Sequence, residues 1–229
     1  MRGLSAVSTV SGIDALALVV EFARQLPSAQ FSFVRYKPSL SVENRVLGIA
    51  PVKLEALPAA DLVNLVRHRP DVVSELLRHD PVAEDAQTTR LFARDILSGA
   101  LEELRRSLHV DEALGVRSEC RFPDGEVLHL QLMDFRVEPS AEALAGLVAA
   151  IQKAVPSGGL ILESGRSYHF YGSELLAASG WIAFMARCLL LSPLTDPRYI
   201  AHRLLAGFGV LRLTASTRKP MVPRVVTTV

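Results

Sequence analysis

The chain has 229 residues, of which 49% are hydrophobic and 21% are charged, enough to fill the core of one large domain or two small ones. Its 25 Lys and Arg against 24 Asp and Glu give a formal net charge of +1, so no global field attracts nucleic acid or an acidic membrane. Any site for a polyanion must therefore be local.

Two cysteines and one long apolar stretch bear on the compartment. Cys120 and Cys188 form no CxxC pair, so neither a zinc site nor a disulfide framework is indicated. Residues 175–191 are interrupted by a glycine and an arginine and are too short to span a bilayer. Asp14 interrupts the N-terminal run that could resemble a signal peptide. We therefore expect a cytoplasmic protein without membrane contact.

The N-terminal region, residues 1–110, is predicted to be mixed α/β and then helical. Ser11 can cap a helix that continues to about Leu26, because apolar residues recur there at helical spacing. The runs FSFVRY at 31–36 and RVLGIAPV at 45–52 predict two strands.

Helical signals dominate residues 58–109. Pro58 and Pro70 each stand at a predicted helix start, and residues 87–108 place their leucines on one stripe, which predicts a further helix. This segment is therefore predicted to be mostly helical, as an insertion or a subdomain.

The remainder, residues 111–229, is predicted to be a second unit or part of one compact domain. Hairpins are predicted around Asp124-Gly125 and around Gly165. Helices are predicted to start at Ser140, Ser173 and Pro197, and a last strand is predicted at residues 209–214. The order β-β-α-β-β-α-α-β predicts an α+β fold, an antiparallel sheet covered by helices.

Asp134 stands near the end of the predicted strand LHLQLMDFRV. A carboxylate in such an apolar strand is costly to bury unless a metal ion, a cation or hydrogen-bond donors meet it. Strand alternation puts Asp134 and Arg136 on one face. Two interpretations stay open: a strand-edge carboxylate that is solvated or paired with an arginine, and a functional group.

The stretch ESGRSYHFYG, residues 163–172, concentrates polar groups between two apolar runs. Gly165 permits a tight turn that directs backbone N–H groups and the Ser164 hydroxyl toward one point. Arg166 offers a guanidinium suited to phosphate oxygens, and His169 follows in the next strand. The segment is either an ordinary hairpin with a hydrogen-bonded core histidine or a pocket for an anion.

Asp196 and the basic stretch LRLTASTRKP complete the candidate residues. Asp196 precedes a proline and is a good helix N-cap, a role that explains it without chemistry. Arg212, Ser216, Arg218 and Lys219 follow the last predicted strand. Such a run is a solvated tail unless it lies beside a phosphate, where it would be part of the binding site.

Together these segments resemble the catalytic core of the archaeo-eukaryotic primase superfamily, in a divergent, bacterial-type form. LQLMDFR resembles the first motif of that family at Asp134. SGRSYH resembles the second motif, in which a serine, a glycine and a basic residue lead to a histidine. TDPRYIAHRLLAGFGVLRLTASTRKP resembles the third, an aspartate ahead of a strand with a basic residue. The resemblance covers about residues 116–225.

The resemblance implies an RRM-like primase-polymerase core with an N-terminal α/β and helical extension. It implies that a 3′-hydroxyl attacks the α-phosphorus of an NTP or dNTP on a DNA or RNA template, with Mg²⁺ or Mn²⁺ held by carboxylates. It makes Asp134, Asp196 and His169 catalytic, the two aspartates as metal ligands. The implied nucleotide-binding residues are Ser164, Gly165, Arg166, His169, Arg212, Ser216 and Lys219.

Arg136 departs from the family pattern, which has a second acid at this position. Lying about 7 Å from Asp134 between Cα atoms, it could neutralise that carboxylate. Glu163 is one candidate for the missing metal ligand, and Glu138, roughly 13 Å from Asp134 along the strand, is another. Two functions stay open: an active nucleotidyltransferase, and a catalytically impaired module that binds nucleotide or nucleic acid as a sensor or partner subunit. A partner protein that helps to hold the template is a further expectation.

Overall fold

A computed structural model describes residues 4, 12–38, 58–68 and 87–229. Within them lie eight strands, β1 to β8: Gln30–Tyr36, Gln87–Phe92, Ala113–Arg121, Val127–Asp134, Gly159–Glu163, Tyr168–Leu176, Val210–Arg212 and Arg224–Thr228. The same residues contain seven helices, α1 to α7: Ala15–Gln25, Ala59–His68, Ala93–Leu97, Ala100–Arg106, Ala141–Ala154, Ala178–Leu190 and Pro197–Ala206. The strand predicted at 45–52 and the helix predicted from Pro70 lie outside the described residues.

The eight strands form one sheet in which all pairs are antiparallel. Their order is β2-β1-β3-β4-β6-β5-β8, and β7 pairs with β3. The prediction of an α+β fold with an antiparallel sheet covered by helices is confirmed. Because β1 pairs directly with β3, one sheet joins the region predicted at residues 1–110 to the core predicted at 111–229.

Helices pack on both faces of the sheet, since alternate strand residues are apolar on each face. On one face α1, α3 and α4 contribute Leu18, Phe22, Ile96 and Leu101 to a core shared with the strands. On the other face α5, α6 and α7 contribute Leu147, Ile151, Trp181, Phe184 and Ile200 to a second core. Burying each large side chain of this kind stabilises the fold by about 1.5–3 kcal/mol.

Residues 87–108 do not form the single helix predicted from their leucine stripe. The first six of them are β2, paired with β1, and helix begins only at Ala93. Gly99 has a φ of 104°, which separates α3 from α4. The β-branched Thr88 and Thr89 favour extended backbone, and pairing with β1 outweighs the helical leucine period. Residues 87–92 therefore extend the sheet, whereas most of the other described residues between 58 and 109 are helical, as predicted.

Two predicted helix caps are wrong. The cap of α1 is Asp14 and not Ser11, because the Asp14 side chain accepts a hydrogen bond from Ala17 N at 2.9 Å. Ser173 caps no helix, because β6 continues through it to Leu176. No helix within the described residues combines the length and apolar character needed to cross a bilayer.

Strands β3 and β4 separate beyond their hairpin, and β7 contacts both of them. β3 pairs with β4 over its last three residues, Glu119–Arg121. Nearer its start it pairs with β7, so that Gly115 lies opposite Arg212. Where β3 leaves β4 to pair with β7, the Ser118 hydroxyl accepts a hydrogen bond from Gly209 N at 2.9 Å. Because β7 takes this place, Arg212 lies near the end of β4.

Candidate functional site

The candidate site lies where β4 ends beside β6. Asp134 and His169 are register partners on these strands, so their side chains share a face of the sheet. His169 Nε2 lies 3.8 Å from Asp134 Oδ1. Both line a cavity of about 180 Å³, together with the predicted residues Ser164, Arg212 and Lys219. Five residues from three separate sequence motifs therefore meet at one place.

The Asp134 carboxyl forms the acidic floor of this cavity. Burial raises its pKa to about 6; the Asp196 carboxylate adds to the rise, while Lys219, Arg212 and a hydrogen bond from Ser167 oppose it. The side chain is nevertheless 42% exposed, so solvent reaches it through the cavity mouth. A carboxylate that protein surrounds on its other sides is stabilised by a cation that enters from solution.

His169 is a neutral imidazole and not a cation at pH 7. Burial lowers its pKa to about 3, and the positive charges of Arg212 and Lys219 act in the same direction. Its Nδ1 atom is buried and has no hydrogen-bond partner among the described residues. One ring nitrogen of a neutral imidazole carries a proton that it can donate to an anion, and the other is an acceptor.

The turn between β5 and β6 connects to the acidic floor through two hydroxyls. Ser164 N and Ser164 Oγ both donate to the Ser167 carbonyl, at 2.9 and 3.0 Å. The two serine hydroxyls lie 3.1 Å apart, and Ser167 Oγ donates to Asp134 Oδ1 at 3.4 Å. Gly165 allows this turn because its φ is 107°, a conformation costly for any residue with a Cβ. The predicted tight turn at Gly165 is thus present.

Replacing Gly165 with alanine is expected to disturb the turn and the site together. The new Cβ would carry the backbone strain of positive φ and would lie 3.2 Å from Met221 Cβ. We expect a loss of about 1–2 kcal/mol in the free energy of unfolding and weaker nucleotide binding. Gly125→Ala is the matched control, since Gly125 also has positive φ, 85°, but lies in the β3–β4 hairpin. Equal nucleotide affinity for the two variants would contradict a role for the Gly165 turn in binding.

Asp196 combines the capping role with a position beside the site. Its Oδ1 accepts hydrogen bonds from Arg198 N at 2.8 Å and Tyr199 N at 3.3 Å, which caps α7. An isolated bridge between Phe135 and Thr195 brings the residue before α7 alongside the end of β4. Both capping bonds use Oδ1, so neither of them occupies Oδ2. Capping and metal binding are therefore compatible at this residue.

Glu163 points away from the acidic floor. In the register of β5 and β6 it lies opposite Tyr168, whereas Leu162 lies opposite His169, and directly opposed residues share a face. Glu163 therefore shares the face of Tyr168 and not that of His169, and we do not retain it as a metal ligand. Glu138 is exposed and lies beyond the end of β4. Within the described ranges no three acidic, histidine or cysteine side chains form a group that could hold a metal ion.

Arg136, at the position of the family's second acid, follows the last residues of β4. Its side chain is half-buried, and its backbone N–H donates to the Leu194 carbonyl at 2.8 Å. This bond ties the end of β4 to the segment that leads into α7, and so helps to place Asp196 beside Asp134.

Two cations flank the cavity. Arg212 is buried, and its guanidinium donates to three backbone carbonyls, those of Thr214 and Met221 at 2.6 Å and that of Ser164 at 2.8 Å. It therefore fixes the turn relative to β7 while adding positive charge. Lys219 lies at the surface, yet neighbouring protein atoms shield it enough to lower its pKa. The charge of Asp134 opposes this lowering, whereas the charges of Arg166 and Arg212 add to it. Arg166 is exposed and lies near enough to Lys219 to affect its pKa.

Ser216 acts through its backbone. Ser216 lines a different groove, with Thr217, and not the cavity; its buried hydroxyl has no hydrogen-bond partner among the described residues. Ser216 and Lys219 pair as a short bridge, which turns the chain so that Lys219 reaches the cavity. Arg218 donates to the Pro38 carbonyl at 3.1 Å, and Thr217 N donates to the Val110 carbonyl at 3.0 Å. These bonds hold the loop that carries Lys219.

Seven cavity residues were not among the predicted site residues: Tyr36, Pro38, Ser167, Tyr199, Arg203, Val210 and Leu211. Tyr199 donates from its hydroxyl to the Val210 carbonyl at 3.0 Å. The buried Arg203 guanidinium lies 5.5 Å from the centre of the Tyr199 ring. Tyr199 stands three residues after the helix cap Asp196, on the first turn of α7. This position beside a predicted site residue was a sequence signal that Tyr199 could line the cavity.

The protein thus has an α+β fold with an antiparallel sheet and a cavity lined by an acid, a neutral histidine and two cationic side chains. A family model described as archaeo-eukaryotic primase 1D-like matches residues 94–224. The chain therefore belongs to the archaeo-eukaryotic primase superfamily, a family of primase-like nucleotidyltransferases. A search of curated proteins found no match, and a search of solved structures also found none.

Proposed function

We propose that the chain is a metal-dependent, primase-polymerase-like enzyme that transfers a nucleotide from an NTP or dNTP to a 3′-hydroxyl. The observation that carries this proposal is the meeting of Asp134 and His169 with Arg212 and Lys219 in one cavity. Its volume of about 180 Å³ is below the roughly 300–1,000 Å³ of pockets that enclose whole ligands. It suits a triphosphate whose nucleoside lies outside.

Asp134 and Asp196 are the residues that fit a divalent ion. Asp134 is a carboxylate desolvated by protein, and Asp196 keeps one oxygen outside its capping bonds. Oxygen ligands next to phosphate suit Mg²⁺ or Mn²⁺. Bound there, such an ion would polarise the phosphate and lower the pKa of an attacking hydroxyl. His169 would donate a neutral N–H to a phosphate oxygen, and the exposed Lys219 would supply positive charge.

A second candidate function is a catalytically impaired module that binds nucleotide or nucleic acid as a sensor or partner subunit. The observation that favours it is that the described residues contain no group of three acidic, histidine or cysteine side chains that could hold a metal ion, whereas a two-ion mechanism depends on several such ligands. The triphosphate would still be held by the turn and the two cations.

Primer synthesis and extension measured beside nucleotide binding separates the two functions. For the enzyme we expect product on a DNA or RNA template with Mg²⁺ or Mn²⁺, and none after the metal is removed with EDTA. Nucleotide binding without product under any metal condition would favour the binding module. If the chain binds neither nucleotide nor nucleic acid and makes no product, both functions are wrong.

A further inference from the structure

An exposed face at one end of the sheet combines an aromatic ring with arginines. Phe92 on β2, Gln30 on β1 and Arg121 on β3 lie opposite one another in the register, so they share a face. Arg90, two residues from Phe92, shares it as well. The intervening Leu91 points the other way and packs against the core. We call this set of residues, on the outer face of β2, β1 and β3, the edge platform.

Arg117 extends the edge platform along β3. Its guanidinium lies 3.4 Å from the centre of the Phe208 ring. Glu119 forms ion pairs with both Arg117 and Arg121, the latter at 3.2 Å. Burial lowers the pKa of Arg117, and the charge of Glu119 opposes this lowering. The positive charges of Arg90 and Arg121 lower the pKa of Arg117 further, so the three arginines lie close enough to interact.

The Phe92 ring is the aromatic surface of the edge platform. It is 43% exposed, although a ring of this size gains free energy from burial. The Arg94 guanidinium lies 5.1 Å from its centre and is itself 80% exposed. Asp95 lies 3.6 Å from Arg94 Nε. Four arginines against the two carboxylates of Asp95 and Glu119 leave the platform positively charged.

We propose that the edge platform binds a single strand of nucleic acid, at a site distinct from the triphosphate cavity. An exposed ring accepts a stacked base, and the arginines beside it meet the phosphates of that strand. The chain lacks a positive field overall, so a local cluster of this kind is what a strand can use. This proposal goes beyond nucleotide transfer and does not rest on it.

Strand β7 lies between the edge platform and the cavity. Arg117 lies opposite Val210 in the register of β3 and β7, and the buried Val210 lines the cavity. The Arg117 and Glu119 side chains are only 16% and 13% exposed, so the exposed part of the edge platform is the area around Phe92, Arg90 and Arg94. From β3 to β2 the platform crosses two strand spacings, about 10 Å.

Fluorescence anisotropy with labelled oligothymidylate and oligouridylate tests the proposal on the full chain. Phe92→Ala is expected to weaken binding about tenfold through lost stacking. Arg90→Ala is expected to lower the slope of log affinity against log salt by about 0.7 for the phosphate contact it removes. Arg187→Ala, at an exposed arginine on α6, is the control and should leave both quantities unchanged.

Several outcomes overturn the proposal. One is no binding of either oligonucleotide by the wild-type chain; another is unchanged affinity and salt slope in Phe92→Ala and Arg90→Ala. Loss with Arg90→Ala but not with Phe92→Ala would point to an acidic peptide, which needs charge and no stacking. Thermal melting checks that the variants fold, and Arg90→Ala changes only an exposed side chain. Nucleotide binding, read separately, should stay unchanged, so the failure of one proposal does not imply failure of the other.

Discussion

Asp134→Asn is expected to lower nucleotide transfer by at least about a hundredfold, because it removes the carboxylate charge on which a divalent ion depends. Asparagine keeps the size of the side chain, so the Ser167 contact and the strand pairing with β6 stay possible. The measurement is the extension rate at saturating nucleotide and Mg²⁺. Glu142→Gln makes the same chemical change at an exposed position on α5 and should leave the rate unchanged. Wild-type rates in Asp134→Asn would remove Asp134 from the mechanism.

The same substitution is expected to stabilise the fold. The pKa of Asp134 is about 6 in the folded chain against an ordinary 3.8, so its folded form holds a proton more tightly than its unfolded form. Its ionisation therefore destabilises the fold progressively as pH rises from about 4 to 6. After allowance for its 42% exposed side chain, Asp134→Asn should gain about 1 kcal/mol at pH 7.

Urea unfolding at pH 4 and pH 7 measures this gain, which should appear only at the higher pH. Saturating Mg²⁺ should raise the melting temperature of the wild type and not that of Asp134→Asn, because only a chain that binds the ion gains by mass action. A variant less stable than the wild type at pH 7 would show that the carboxylate is a structural group.

His169→Ala is expected to weaken nucleotide binding on the order of tenfold to a hundredfold, the value of one hydrogen bond to a charged phosphate. The measurement is a titration with labelled NTP. His169→Gln keeps an N–H donor and should recover part of the affinity. His109→Ala, at an exposed histidine outside the cavity, is the control. Equal affinity of His169→Ala and wild type would remove His169 from the binding site.

The pH dependence of binding tests whether His169 acts as a neutral group. Because its pKa is about 3, it stays neutral between pH 5 and 8, and its contribution to affinity should be flat over that range. A contribution that disappears as pH rises through about 6.5, the ordinary histidine value, would mean that the imidazole binds phosphate as a cation.

Much of the core was predictable because local signals and tertiary structure agree. Ser140 and Asp196 cap the predicted helices α5 and α7, and the turn pairs at Gly125 and Gly165 make the predicted hairpins. The resemblance supplied the meeting of Asp134 with His169, which spacing alone could not. Long-range pairing decides where two residues far apart in sequence lie, and nothing in a local window encodes it.

The errors come from positions where pairing partners decide the structure. β2 looked helical because its strand character depends on β1, which precedes it by about fifty residues. Glu163 looked suitable as a ligand because it precedes the turn, but the register with Tyr168 turns it to the opposite face. The resemblance implied Ser216 as a nucleotide-binding residue, whereas Ser216 lines a separate groove and not the cavity.

The insertion of β7 beside β3 has a consequence for the order of folding. Asp134 and His169 can pair once β4 and β6 exist, but Arg212 and Lys219 arrive with a strand that must find Gly115 about a hundred residues earlier. Closing so large a loop is entropically slow. During synthesis from the N-terminus, the acidic half of the cavity therefore forms first. The proposed triphosphate site is therefore complete only after β7 and the loop behind it have left the ribosome.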